Sequence, residues 1–215
     1  MNRRCNRRAA MMLVAGVVGG LLTGCGTAPQ RPMPAPPNAA TAVPALPGRL
    51  SDDADERFKL ALELMQDLQI EDARAAFTGL AIDYPQLSGP LTNLGILDAQ
   101  GSDPDAAVRS FSMAVEANPG NAVACNWLGI LYRQKGDYAR AEAAYRQALT
   151  AQPEYASAHL NLAILYDVSL HQPAEALAHY REYQRLTGGE DLIVTAWIRE
   201  LETLTARTVA GGAAP

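Results

Sequence analysis

The chain has 215 residues, 48% of them hydrophobic and 19% charged, with 18 basic side chains against 23 acidic ones. That length holds one ordinary domain with appendages, and the composition excludes an intrinsically disordered chain. The acidic balance excludes a protein built to grip nucleic acid or anionic lipid through its surface charge.

Arg3, Arg4, Arg7 and Arg8 give a positive start, and residues 9–22 form an uncharged, mostly apolar run of 14 residues. A membrane-spanning helix needs about 20, so residues 1–24 read as a cleaved export signal. The run closes on Leu22, Thr23, Gly24 and Cys25, which resembles the lipobox of bacterial lipoproteins. The resemblance implies cleavage before Cys25 and lipidation of that cysteine, which anchors the chain in a membrane. Gly26, in place of an aspartate, implies sorting to the periplasmic face of the outer membrane in a Gram-negative host. The alternative is an uncleaved N-terminal helix with a chance cysteine.

Removing the four arginines of the signal leaves 14 basic side chains against 23 acidic, a balance of −9. Cys5 departs with the signal and Cys25 carries lipid, so Cys125 alone remains and no intrachain disulfide can form. Cys125 falls on the packing face of a helix and reads as a small buried hydrophobe.

Residues 25–50 combine the lipidated cysteine with a Pro/Ala-rich linker that holds seven of the chain's fourteen prolines. Such chain extends by about 3.1 Å per residue where it adopts the polyproline conformation, which makes it a spacer. A proline-rich recognition ligand is the other reading of Pro34, Pro36 and Pro37.

From residue 51 to 190 a period of 34 dominates. Pro85, Pro119 and Pro153 keep that spacing, as do Ala73, Ala107 and Ala141, and the aromatics Phe77, Phe111 and Tyr145. Leu60, Leu94, Leu128 and Leu162 extend it over four units, each followed by a small residue: Ala61, Gly95, Gly129 and Ala163. Small residues let two helices approach closely, large apolar groups fill the space between units, and proline ends each second helix. The pattern resembles the tetratricopeptide repeat (TPR). Its clearest copy is 122–155, with Leu128, Gly129, Tyr132, Ala141, Tyr145, Ala148 and Pro153 in place. The copy at 88–121 has Asp98 where the tyrosine belongs, 54–87 is weaker, and 156–187 gains one residue near 170–173. The resemblance implies an all-α, right-handed superhelical solenoid of about four helix-turn-helix repeats. Residues 191–207, with Leu192, Ile193, Trp197, Ile198, Leu201 and Leu204, read as an amphipathic capping helix, and 208–215 as a disordered tail.

In that family the first helix of each repeat lines a concave groove. The residue after the Leu-Gly pair is here Leu62, Ile96, Ile130 and Ile164, which would make an apolar stripe on the groove floor. Phe58, Met65, Thr92, Asn126, Arg133, Leu160 and Asp167 would flank it, and a protein or peptide partner, above all an apolar or amphipathic helix, would occupy it. The same aliphatics equally suit packing against adjacent helices, or cover by the C-terminal helix. Asn93 matches the family's chaperone-tail clamp, but Lys59 and Lys135 are the only lysines, so that activity is not implied.

Nothing in the chain has the spacing of a metal site, a phosphate loop or a nucleophile elbow, so no cofactor and no catalysis are expected. Lipoproteins of similar plan include pilotins of type IV pilus secretins and the tight-adherence pilus lipoprotein. Pilus or secretin assembly is therefore the first expectation, ahead of an adaptor for peptidoglycan enzymes or a carrier for an exported polypeptide.

Overall fold

Helix pairs recur at the predicted period. In the computed structural model, which describes residues 52–189 and 191–211, the pairs are α1 (Asp52–Gln66) with α2 (Ile70–Asp83), α3 (Ser88–Gln100) with α4 (Pro104–Ala117), and α5 (Ala122–Gln134) with α6 (Tyr138–Ala151). The fourth joins α7 (Ala156–Ile164), continued by a π turn (Leu165–Ser169), to α8 (Pro173–Leu186), and α9 (Leu192–Gly211) follows. Among the described residues there is no strand. The expected export signal, Cys25, the linker and residues 212–215 lie outside the described residues. Residues 208–211, expected in the tail, continue α9 instead.

Within each pair the helices meet where the sequence places its small residues. A Cβ added to Gly129 would lie 2.4 Å from the Tyr145 ring, and one added to Gly95 would lie 2.8 Å from Phe111. Both rings are fully buried. Ala61 and Ala163 hold the same position in the outer repeats and are also inaccessible, as are their partners Phe77 and Tyr180. Burying each such side chain contributes on the order of 1.5–3 kcal/mol.

Stacking explains the leucine register. Leu162 is 1% and Leu128 8% exposed, whereas Leu60 is 54% exposed because no described helix precedes it. At the other end α9 buries Val194, Ile198 and Leu201, sets Trp197 5.6 Å from Tyr180, and accepts a hydrogen bond from Gln184 at Thr195. It thus lies on α8, so it caps the stack.

The turns share one backbone solution. Leu68, Ser102, Gly136 and His171 all have positive φ, spaced by 34, 34 and 35 residues. At Gly136 the Asp137 N–H donates to Tyr132 C=O and the Gly136 N–H to Arg133 C=O, the paired bonds that close a helix on a left-handed residue. Asp103 and Asp137 then cap α4 and α6 through the N–H groups of Ala106 and Arg140. The extra residue of the fourth repeat is absorbed by the π turn, in which Leu170 N–H reaches back to Leu165 C=O.

Departures from the repeat pattern are matched by polar contacts. Asp98 is buried and accepts from Arg74 of α2 and Ser110 of α4, so a carboxylate joins three helices where other repeats carry Tyr132 or Tyr166. His159 Nε2 lies 2.9 Å from Pro153 C=O, which can only accept, so this nitrogen carries the proton. Its Nδ1 lies 2.9 Å from His179 Nδ1, so one proton between the two rings ties α8 to α7. Burial, then the neighbouring His159 and Arg146, hold the His179 pKa down to about 4, with Glu182 opposing.

Two consequences are testable by chemical denaturation. Gly129→Ala should cost about 1–3 kcal/mol or more through overpacking on Tyr145. Gly79→Ala in α2, whose Cβ would meet only Arg57 at 3.4 Å, should instead stabilise by about 0.5–1 kcal/mol. Equal effects at the two sites would contradict the close-approach account. For His179 the unfolded chain takes the proton first, since its unfolded pKa is near 6.5. Stability should therefore be full above about pH 6.5, fall towards pH 4, and level off below. The loss should be about 1–2 kcal/mol after allowance for partial solvent screening, and His179→Gln should flatten that part of the profile.

Candidate functional site

The first helices of the repeats place the predicted groove residues in two different environments. Ile96, Ile130 and Ile164 are 5%, 7% and 2% exposed, so the expected open stripe is closed by packing against adjacent helices; Leu62 alone of the four is half-buried. Thr92 and Asn126 are fully buried. Thr92 Oγ1 donates to Ser88 C=O and accepts from Asn121, and Asn126 Oδ1 accepts from Asn161 Nδ2 at 3.0 Å. Met65 is buried, Phe58 packs edge-on to Phe77 at 5.8 Å, and Leu160 is half-buried. Asp167 lies in the π turn and accepts from Tyr180 Oη at 3.2 Å. Arg133 is half-buried.

A cavity of about 460 Å³ opens beside α5. Ala99 and Gln100 of α3, Ser102 of the following turn, Pro104 at the start of α4, and Asn161 of α7 line it with Trp127, Ile130, Leu131, Arg133 and Gln134 of α5. It thus draws on three successive first helices, the elements to which the sequence assigned the groove, and its volume falls in the range of a ligand site. Of the predicted residues it gathers Ile130 and Arg133. Trp127, Leu131, Gln134 and Asn161 were missed, although Trp127 stands one helical turn before Ile130 and Leu131, a spacing that could have found it.

The walls are largely apolar. Trp127 stacks on Phe111 at 5.6 Å and 9°, and its buried Nε1–H meets no acceptor. Arg133 Nε–H and the Tyr145 hydroxyl are buried beside one another, as are Asn126 Nδ2 and the Tyr155 hydroxyl, and neither pair reaches a further partner among the described residues. Burial pushes both phenols up to about 12, opposed at Tyr145 by Arg133 and at Tyr155 by Asn126. Among the described residues no carboxylate lies within 4.0 Å of Arg133. The contrast with the next repeat is plain: Asp167, 34 residues on, offers Tyr180 an acceptor, whereas Arg133 offers Tyr145 only donors.

Cys125 is 1% exposed and burial pushes its thiol up to about 11, which marks a packing residue. Among the described residues no three His, Cys, Asp or Glu side chains could hold a metal ion, and no helix is long and apolar enough to cross a membrane.

Comparison with known proteins agrees with this geometry. Residues 92–145 and 126–191 match the family model of the tetratricopeptide repeat. A stretch of 109 residues is 36% identical to the cellulose synthase operon protein C of Pseudomonas fluorescens, covering 47% of this chain and 8% of that one. A stretch of 59 residues is 42% identical to the probable UDP-N-acetylglucosamine–peptide N-acetylglucosaminyltransferase SPINDLY of Solanum lycopersicum, covering 27% of this chain and 6% of that one. The matches thus span less than a tenth of the length of these curated relatives.

Among solved structures, PilF of Pseudomonas aeruginosa superposes with a TM-score of 0.63 at 20% identity, over 74% of this chain and 72% of PilF. MamA gives 0.61 at 19%, over 75% and 88%. The first TPR domain of RPAP3, bound to an HSP90 peptide, gives 0.52 at 20%, over 56% and 97%. The helical region of this chain is a stack of tetratricopeptide repeats, a scaffold for protein–protein interaction.

Proposed function

We propose that the chain is a lipid-anchored envelope scaffold, held at the periplasmic face of the outer membrane through Cys25 and presenting the repeat groove to a polypeptide partner. The observation that carries the binding surface is the cavity across α3, α5 and α7, with its largely apolar wall and the unmatched Trp127 N–H. Supporting the anchor is the order of signal, lipobox cysteine and proline-rich spacer in the sequence. The peptide held by the RPAP3 repeat domain supports the same use of the fold. The scaffold works by presenting a rigid surface: its side chains position a partner and carry out no bond-making step. Assembly of a pilus or its secretin is the setting placed first, on the order of anchor, spacer and repeat stack.

Photocrosslinking in intact Gram-negative cells tests this reading. A benzoylphenylalanine at Gln134, which is exposed and lines the cavity, should give a discrete adduct in the membrane fraction, and one at the exposed Ala143 of α6 should not. Cys25→Ser should move the chain out of that fraction. Identical adducts from both positions would remove the groove as the binding surface, and a Cys25→Ser chain still in the membrane would remove the lipid anchor. The identity of the adduct separates pilus or secretin components from peptidoglycan enzymes and from exported clients.

A further inference from the structure

Two donors among the lining residues face the cavity's polar demand. Trp127 Nε1 has no acceptor among the described residues, and the Arg133 guanidinium has the Tyr145 phenol beside it but no carboxylate. An indole N–H and a guanidinium can never accept, so a group that arrives between them must offer an acceptor. A buried donor left alone is costly, and an arriving oxygen offsets that cost.

Charge points the same way. Lys135, Arg140 and Arg146, the cations that follow Arg133 in the chain, each pair with a carboxylate: Asp105, Asp137 and Glu142. Arg133, the cation lining the cavity, pairs with none among the described residues. The chain's own linker cannot supply the partner, because residues 26–50 contain no Asp or Glu.

We propose that the cavity takes an extended segment of another polypeptide, in which a large aliphatic or aromatic side chain packs against Trp127, Ile130 and Leu131 and an internal Asp or Glu meets Arg133. This rests on the groove being the binding surface. Ile130 and Arg133 are separated by three residues, or about 4.5 Å along α5. Extended chain advances about 3.3 Å per residue, so the acid lies within two residues of the apolar anchor. A single unpaired arginine selects one acid, and a charge-assisted bond in a half-buried site is stronger than a neutral one.

The test is selection of random dodecapeptides displayed on phage, joined to the coat protein through their C-termini so that no free terminal carboxylate is offered, against the immobilised full-length chain in detergent. Enriched peptides should carry Asp or Glu within two residues of Leu, Ile, Met or Phe. Changing that acid to its amide in the synthetic peptide should weaken binding at least tenfold, a comparison that leaves the protein untouched. Arg133→Gln should weaken the acidic peptide similarly and abolish the difference between acid and amide. Enriched peptides that block the Gln134 crosslink but lack an acid, or that bind Arg133→Gln equally well, would overturn this proposal alone. Enriched peptides that leave the crosslink untouched, or no enrichment at all, would overturn the groove reading and this proposal with it.

Discussion

Close contact between a small residue on each first helix and an aromatic ring on the second sets the spacing of the repeat stack. Gly95 on Phe111 and Gly129 on Tyr145 leave no room for even a methyl group, and each ring is wholly buried between its two helices. Because the contact repeats every 34 residues, successive pairs present equivalent surfaces and stack. Stacking buries the leucines that follow in register and brings α3, α5 and α7 side by side. The cavity is a consequence of that alignment.

Around this fixed contact the polar groups vary, and the variation gives each repeat its character. Asp98 exchanges an aromatic contact for a junction of Arg74, Ser110 and three helices. The fourth repeat stores an added residue as a π turn, which places Asp167 where Tyr180 can donate to it. The third repeat has Arg133 at the position matching Asp167, and the result is a cluster of donors beside an apolar wall. A local exception to a repeating pattern is where a generic scaffold acquires specificity.

The fold was legible because its determinants are periodic and local. Small residue, aromatic and proline recur at fixed spacing, and the caps Asp103 and Asp137 stand directly before their helices. The site was only partly legible. Ile96, Ile130 and Ile164 fit an exposed stripe and a buried seam equally well, because a helix lying between two others has apolar residues on both flanks. Asn161 joins the cavity through contact between repeats, which no single-repeat pattern encodes, whereas Trp127 lay within reach of the helical spacing to Ile130. The shared left-handed turn was visible only at Gly136, since Leu68, Ser102 and His171 adopt it against their intrinsic preference.

The central claim is that partners enter beside Trp127, whose buried N–H meets no acceptor among the described residues. The chain has two tryptophans, and the second, Trp197, sits on the capping helix against Tyr180. Their two indole N–H resonances in a 15N-labelled sample therefore report on the two ends of the question. Saturation with a groove-binding acidic peptide should shift the Trp127 resonance, as a side chain packs beside the indole, and leave that of Trp197 in place. A shift confined to Trp197, or no shift of either under saturating peptide, would contradict the account.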